Sequence, residues 1–272
     1  MEVPDGIEWL DESISESESN FLRLKKALYG LKQAPRLWHQ AINSFLLSIE
    51  FHRSDADQNL YVRSDGVLVL LYVDDMLVFY ADTASEKAMG VKEALMQQYK
   101  MSNLGPAKKF LGLEINRHSD GIITLGQQAY VEAVIRRFGM EDANTADTPL
   151  HHKTRLDSIP EGEPEADPEL YRSIVGSLGY VVQGTRPDLA YAVVALSRYS
   201  SKPYTTYMTA AKRVLRYLKK TADVNLVFPG PGRASDSGNV SNSTVLVGYT
   251  DSDWASDRGD RNCHTLIMGA EL

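Results

Sequence analysis

Apolar positions along this chain fall into stretches of two different periods. Residues 21–50 read as helical, with Leu37, Ala41, Ile42, Phe45, Leu46 and Ile49 recurring at three- and four-residue spacing and Pro35 suited to a first helical turn. Residues 59–82 read as β-structure: a short strand at Leu60–Arg63, a turn at Ser64-Asp65-Gly66, then two apolar runs, Val67–Val73 and Met76–Tyr80. Only Asp74-Asp75 interrupts those runs, which predicts a tight hairpin with both strands buried on both faces. An amphipathic helix is expected over 84–100, with Ala88, Val91, Ala94, Leu95 and Met96 inward. Phe110–Ile115 and Ile122–Leu125 read as a strand pair around Asp120-Gly121, and 127–138 as a helix closed by Gly139. Prolines and acids across 141–169 suggest a linker. Helices are expected over 170–199, broken at Thr185–Asp188, and over 205–220. The stretch 229–243 is low in complexity, and a new strand opens at Val245–Tyr249.

Composition is ordinary for a folded protein of 272 residues, 43% hydrophobic, and allows one or two domains. The one cysteine, Cys263, precludes an internal disulfide and fits a reducing, intracellular setting, cytoplasm or nucleus. The first residues lack a secretory pattern, and the run Val67–Val73 is too short to span a bilayer, so no membrane role is expected. The net charge of −7 seems to disfavour nucleic acid, but seven acids crowd residues 1–20, an opening that reads as mobile, and the rest of the chain is balanced. Two windows carry only basic charge: Arg23, Lys25, Lys26, Lys32 and Arg36 in one, Lys202, Lys212, Arg213, Arg216, Lys219 and Lys220 in the other. Each is either a phosphate-contacting strip or a solvated helix face. Tyr199, Tyr204 and Tyr207 could stack bases or pack internally.

Asp74 and Asp75 carry the strongest chemical signal. Adjacent carboxylates between apolar strands repel each other, and a divalent cation relieves that repulsion. Mg²⁺ held by such a pair suits two-metal phosphoryl transfer. An exposed turn, which also favours Asp, is the alternative.

The order of motifs decides between these readings. Leu28-Tyr29-Gly30-Leu31-Lys32-Gln33-Ala34-Pro35-Arg36, followed by Trp38, then Tyr72-Val73-Asp74-Asp75, Phe110-Leu111-Gly112-Leu113-Glu114-Ile115, Thr185-Arg186-Pro187-Asp188, Lys212–Lys219 and Gly248–Ala255 succeed one another. In this order they resemble the reverse transcriptases of copia-type LTR retrotransposons. The resemblance implies an α+β fold: a right-hand polymerase palm remnant, an antiparallel sheet with helices, over 21–140. A helical connection region over 170–228 and the start of an RNase H-like domain over 244–272 would follow. It implies Mg²⁺ at Asp74 and Asp75, and Tyr72 near the primer terminus. Gly30, Lys32, Gln33, Pro35 and Arg36 would line the template and incoming nucleotide, and Phe110 and Gly112 would lie in a segment like a primer grip. Lys212, Arg213 and Arg216 would contact nucleic acid, and Asp251 would be the first RNase H metal acid. The implied partners are an RNA/DNA primer–template, deoxynucleotides and other parts of the retrotransposon polyprotein.

The chain departs from that pattern in one respect. Met1–Glu8 resembles a segment that follows the family's motif A, so a third polymerase acid is expected to be missing, as are the later RNase H acids. The expectation is a polymerase fragment inactive alone. The alternative is a non-catalytic nucleic-acid-binding or structural remnant.

Overall fold

The computed structural model describes residues 24–28, 30–151, 156, 162–228, 247–252 and 265–271, the last two stretches as backbone. The acidic opening over 1–20 and the stretch 229–243 lie outside the described residues. The fold is α+β, with antiparallel sheets. The chain divides into two compact units after Gly105.

Among the described residues the first element of the first unit is helix α1, Ala34–Ser48, with Pro35 in its first turn as expected. Strands β1 (His52–Arg53), β2 (Leu60–Val62), β3 (Leu68–Tyr72) and β4 (Asp75–Phe79) form one antiparallel sheet in that order, and helix α2 spans Ser85–Gln98. Tyr61, Val69 and Leu71 from the sheet bury against Ile42 and Leu46 of α1 and Ala88, Val91 and Leu95 of α2. Fully burying each such aliphatic side chain contributes about 1.5–3 kcal/mol.

Two readings of this unit are corrected. Leu37, Ala41 and Met96 are exposed, and the inward stripe of α1 runs through Trp38, Ile42, Phe45, Leu46 and Ile49. Trp38 stands four residues before Ile42, so it shares that face, whereas Leu37 is turned away from it. Nor are β3 and β4 buried on both faces. Val69 and Leu71 are buried, Leu68 and Leu70 only half so, and β4 has no buried residue. The core helices cover one face, and β4 is the edge of the sheet.

The second unit holds a sheet of β5 (Lys109–Phe110), β6 (Leu113–Arg117), β7 (Ile123–Gly126) and β8 (Leu226–Phe228), also in sequence order. Phe110–Ile115 is not one strand: a turn at Leu111-Gly112 folds it into the hairpin β5–β6. Helices α3 (Gln128–Arg137), α4 (Pro168–Gly184), α5 (Ala190–Ser197) and α6 (Thr205–Lys220) share one core through Val134, Ile135, Ile174, Leu178, Leu196, Val214 and Leu218. This shared core, with β8 pairing to β7, joins residues 106–140 to the downstream helices. Asp167 caps α4 by accepting from the amides of Glu169 and Leu170. Tyr207 is buried and stacks on Tyr199 at 3.9 Å, so this tyrosine cluster packs internally. Strands β9 (Val247–Ser252) and β10 (Thr265–Glu271) pair with each other. Among the described residues, no helix is long and apolar enough to cross a membrane.

Candidate active site

The hairpin β3–β4 ends one residue earlier than the sequence suggests. Tyr72 pairs with Asp75, so the two-residue loop is Val73-Asp74 and Asp75 opens β4. Val73 has φ +55°, and Asp74 is not among the positive-φ residues. A loop with positive φ only at its first residue is a type II′ turn, a position that favours glycine. A β-branched residue there holds strain of about 1–3 kcal/mol. Tyr72, Val73, Asp74 and Asp75 are all exposed, and among the described residues neither carboxylate has a hydrogen bond or ion pair. Two negative side chains therefore stand at a strained tip without a partner among the described residues. Carboxylate oxygens are the donors Mg²⁺ prefers, so the pair fits that ion. Among the described residues no three His, Cys, Asp or Glu side chains gather into a metal site, so this pair stands without a third such side chain beside it.

The segment before α1 sits in the same unit. Gly30 has φ +93° and open space around it, so its conformation and not crowding calls for glycine. Lys32, Gln33, Pro35 and Arg36 are exposed at the start of α1, where Leu37 N–H reaches Gln33 O at 3.1 Å. One residue that the motif reading assigned no role connects this helix to the tip: the indole N–H of Trp38 donates to the Val73 carbonyl at 2.6 Å.

Phe110 and Gly112 belong to the second unit. Their hairpin also turns on a strained loop: Leu111 has φ +50° and Gly112 φ +79°, the type I′ pattern. Tyr180 of α4 donates to the Leu111 carbonyl at 2.8 Å, and a Cβ on Gly112 would lie 2.5 Å from that hydroxyl.

The basic face of α6 is engaged within the chain. Arg213 donates to Thr148 Oγ1, Arg216 to the carbonyls of Asn144 and Thr145, Lys219 to those of Glu141 and Ala143, and Lys220 pairs with Asp147. Lys220 holds the Asp147 carboxyl below its usual range. Lys212 is exposed. The segment read as a linker is thus partly docked: Glu163 accepts from Thr205 and Thr206 at the start of α6, and Ala166 N–H reaches Pro203 O at 2.9 Å.

Thr185–Asp188 likewise serves the core. Arg186 is 2% exposed, forks onto Asp188 at 2.7–2.8 Å, and also donates to the carbonyl and hydroxyl of Thr221. Tyr217 donates to Asp188 at 3.1 Å. Asp251 lies on β9 opposite Leu266; its side chain is outside the described part.

This arrangement of sheet, helix and acid-tipped hairpin meets a matching family model. Residues 8–152 match that of the reverse transcriptase (RNA-dependent DNA polymerase), and the chain belongs to this family. Its relatives include Pol polyproteins of copia-type transposons. It is similar to the retrovirus-related Pol polyprotein from transposon TNT 1-94 of Nicotiana tabacum, 34% identical over 97% of this chain and 19% of that protein. It is also similar to the one from transposon RE2 of Arabidopsis thaliana, 37% identical over 88% of this chain and 16% of that protein. An uncharacterized mitochondrial protein of Arabidopsis thaliana is 34% identical over 72% of this chain and 75% of its own length. The chain thus spans under a fifth of the two polyproteins. No solved structure matches it.

Proposed function

We propose that the hairpin tip Tyr72–Asp75 is the metal-binding element of an RNA-directed DNA polymerase, with Asp74 and Asp75 as two of its acids. The observation that carries this reading is the pairing of strain with free charge. Val73 holds φ +55° where glycine would be cheaper, beside two exposed carboxylates without a described partner. Strain of this kind persists where function needs it. Bound Mg²⁺ would polarise the nucleotide phosphates and stabilise the attacking and leaving oxygens. Asp74 and Asp75 would hold the ions by their carboxylate oxygens. Tyr72, paired with Asp75, would support the primer terminus. Gly30, Lys32, Gln33, Pro35 and Arg36 would face the template and incoming deoxynucleotide, with Lys32 and Arg36 positioned for phosphates. Phe110 and Gly112 would steady the primer, Lys212 would meet the nucleic-acid backbone, Arg213 and Arg216 would join it only on releasing residues 144–148, and Asp251 would begin a separate RNase H metal site.

Two carboxylates do not complete a two-metal site. Among the described residues no third ligand joins them, so the chain is proposed to act with a further acid supplied by another stretch of Pol polypeptide. Primer extension on a primer–template hybrid with Mg²⁺ tests both parts. The chain alone is expected to give no incorporation, and to bind Mn²⁺ through the tip in a manner abolished by Asp74→Asn. Mn²⁺ binding indifferent to that change would refute the metal reading. Robust synthesis by the chain alone, abolished by Asp74→Asn, would refute its incompleteness.

A further inference from the structure

The Trp38–Val73 bond reaches the one peptide unit that decides the shape of the tip. In a two-residue hairpin loop, types II′ and I′ differ by rotation of the peptide between the two loop residues. Here that peptide joins Val73 to Asp74. Its carbonyl belongs to the first loop residue, which has no ladder partner in a two-residue hairpin, since the ladder resumes at Tyr72 opposite Asp75. Left alone, the carbonyl is free to swing. A swing to type I′ would put Asp74 at positive φ and re-aim its carboxylate relative to Asp75.

Trp38 is built to prevent that. Its indole N–H, a donor with no acceptor function, meets the Val73 oxygen at 2.6 Å. The ring itself is held: it packs edge-on against Tyr99 with centroids 5.1 Å apart at 79°. Tyr99 in turn meets Phe45 edge-on at 5.5 Å and donates its hydroxyl to the Ala41 carbonyl at 3.1 Å. The donor is therefore fixed at both ends, on α1 through its own backbone and against the end of α2 through Tyr99. An aromatic ring of any kind could meet Tyr99 edge-on, but only an N–H can donate to the Val73 carbonyl.

We infer that Trp38 is a positioning residue: its indole N–H latches the Val73-Asp74 peptide in the type II′ orientation and thereby sets the relative aim of the Asp74 and Asp75 carboxylates. The consequence for metal binding rests on the polymerase reading; the latch itself does not.

The test uses the full chain labelled with ¹⁵N. In Trp38→Phe the amide signals of Asp74 and Asp75 are expected to shift and broaden, while those of Tyr61 and Val69 in the core stay in place. Benzothienylalanine at position 38, which keeps the bicyclic shape and replaces N–H by sulfur, is expected to do the same without loss of packing. In a Mn²⁺ titration both variants should bind about threefold to tenfold more weakly than the parent, the span that one neutral hydrogen bond supplies. Unchanged turn signals in the phenylalanine variant, or a parent-like spectrum with benzothienylalanine, would overturn the latch. A parent chain that binds no Mn²⁺ through Asp74 would instead overturn the metal reading, with the turn signals still deciding the latch.

Discussion

Tyr180 holds the Leu111 carbonyl by a 2.8 Å hydrogen bond from helix α4, across 69 residues of sequence. Trp38 treats Val73 in the first unit the same way. Each unit thus has a hairpin turn with a bulky residue at positive φ, and each turn's first carbonyl is taken by an aromatic donor from a helix. Both turns lie within residues 8–152, the stretch that matches the reverse transcriptase family.

The Tyr180 contact makes Gly112 doubly restricted. Alanine there would face a φ of +79° and place its Cβ 2.5 Å from the Tyr180 hydroxyl. Gly112→Ala is expected to destabilise the chain by about 2–3 kcal/mol in urea unfolding, and Tyr180→Phe by about 1 kcal/mol. The double variant should lose less than the sum of the two, because removing the hydroxyl relieves the clash and leaves only the backbone strain. Strict additivity would show that the hydroxyl is not the obstacle.

Val73 offers the converse experiment. It is 57% exposed, so replacing it by glycine sacrifices little packing while removing the strain of φ +55°. Val73→Gly is expected to leave stability unchanged or raise it by about 1 kcal/mol, read as an increase in the urea midpoint. A clear fall in that midpoint would mean that the valine side chain contributes contacts that outweigh its backbone cost.

Much of this architecture was legible from residue order, and the failures have physical causes. The hairpin, α1, α3 and the broken helical pair α4–α5 follow from periodicity, capping and the Thr185–Asp188 break. The loop of β3–β4 was misplaced by one residue because valine is not a turn former; Asp74-Asp75 looked the better turn. Burial on both faces was inferred from apolar runs that a one-sided helix layer explains only in part. Short strands such as β1 and β5 carry too few residues to show a period. The roles of Trp38 and Tyr180 depend on contacts across 35 and 69 residues, which no local pattern encodes. Charge counting could not tell whether the cations of α6 meet phosphates or carbonyls of their own chain.

Arg186 and Asp188 predict a pH effect. Burial alone would raise the Asp188 pKa, but the hydrogen bonds and charge of Arg186, with help from Tyr217, bring it below the ordinary carboxylate value. The unfolded chain then binds the proton more readily than the folded one. The stabilisation from this pair is present above the unfolded value near ~4 and is lost as pH falls through the lower folded value. Asp188→Asn should flatten the acid limb of a stability–pH profile. Asp188→Ala, which leaves Arg186 buried without its counter-charge, should cost on the order of 2–3 kcal/mol at neutral pH. The cost stays at this modest level because the Asp188 side chain is 40% exposed and water can partly replace it. An alanine variant as stable as the parent would show that the two Thr221 contacts suffice for the guanidinium.

Helix α6 carries both engaged and exposed cations. Arg216 spends its guanidinium on the carbonyls of Asn144 and Thr145, whereas Lys212 is exposed and free for a phosphate. Arg216→Ala is expected to destabilise the chain by about 1–2 kcal/mol, since each lost bond leaves a carbonyl to seek water. Lys212→Ala should leave stability within about 0.5 kcal/mol. If α6 meets a primer–template backbone through Lys212, the same change lowers the slope of log affinity against log salt by roughly one, because one fewer counterion is released on binding. A slope unaffected by Lys212→Ala but reduced by Arg216→Ala would mean that the nucleic acid displaces residues 144–145 from the helix and takes over their cations. In that case the docked segment would compete with the substrate for this face of α6.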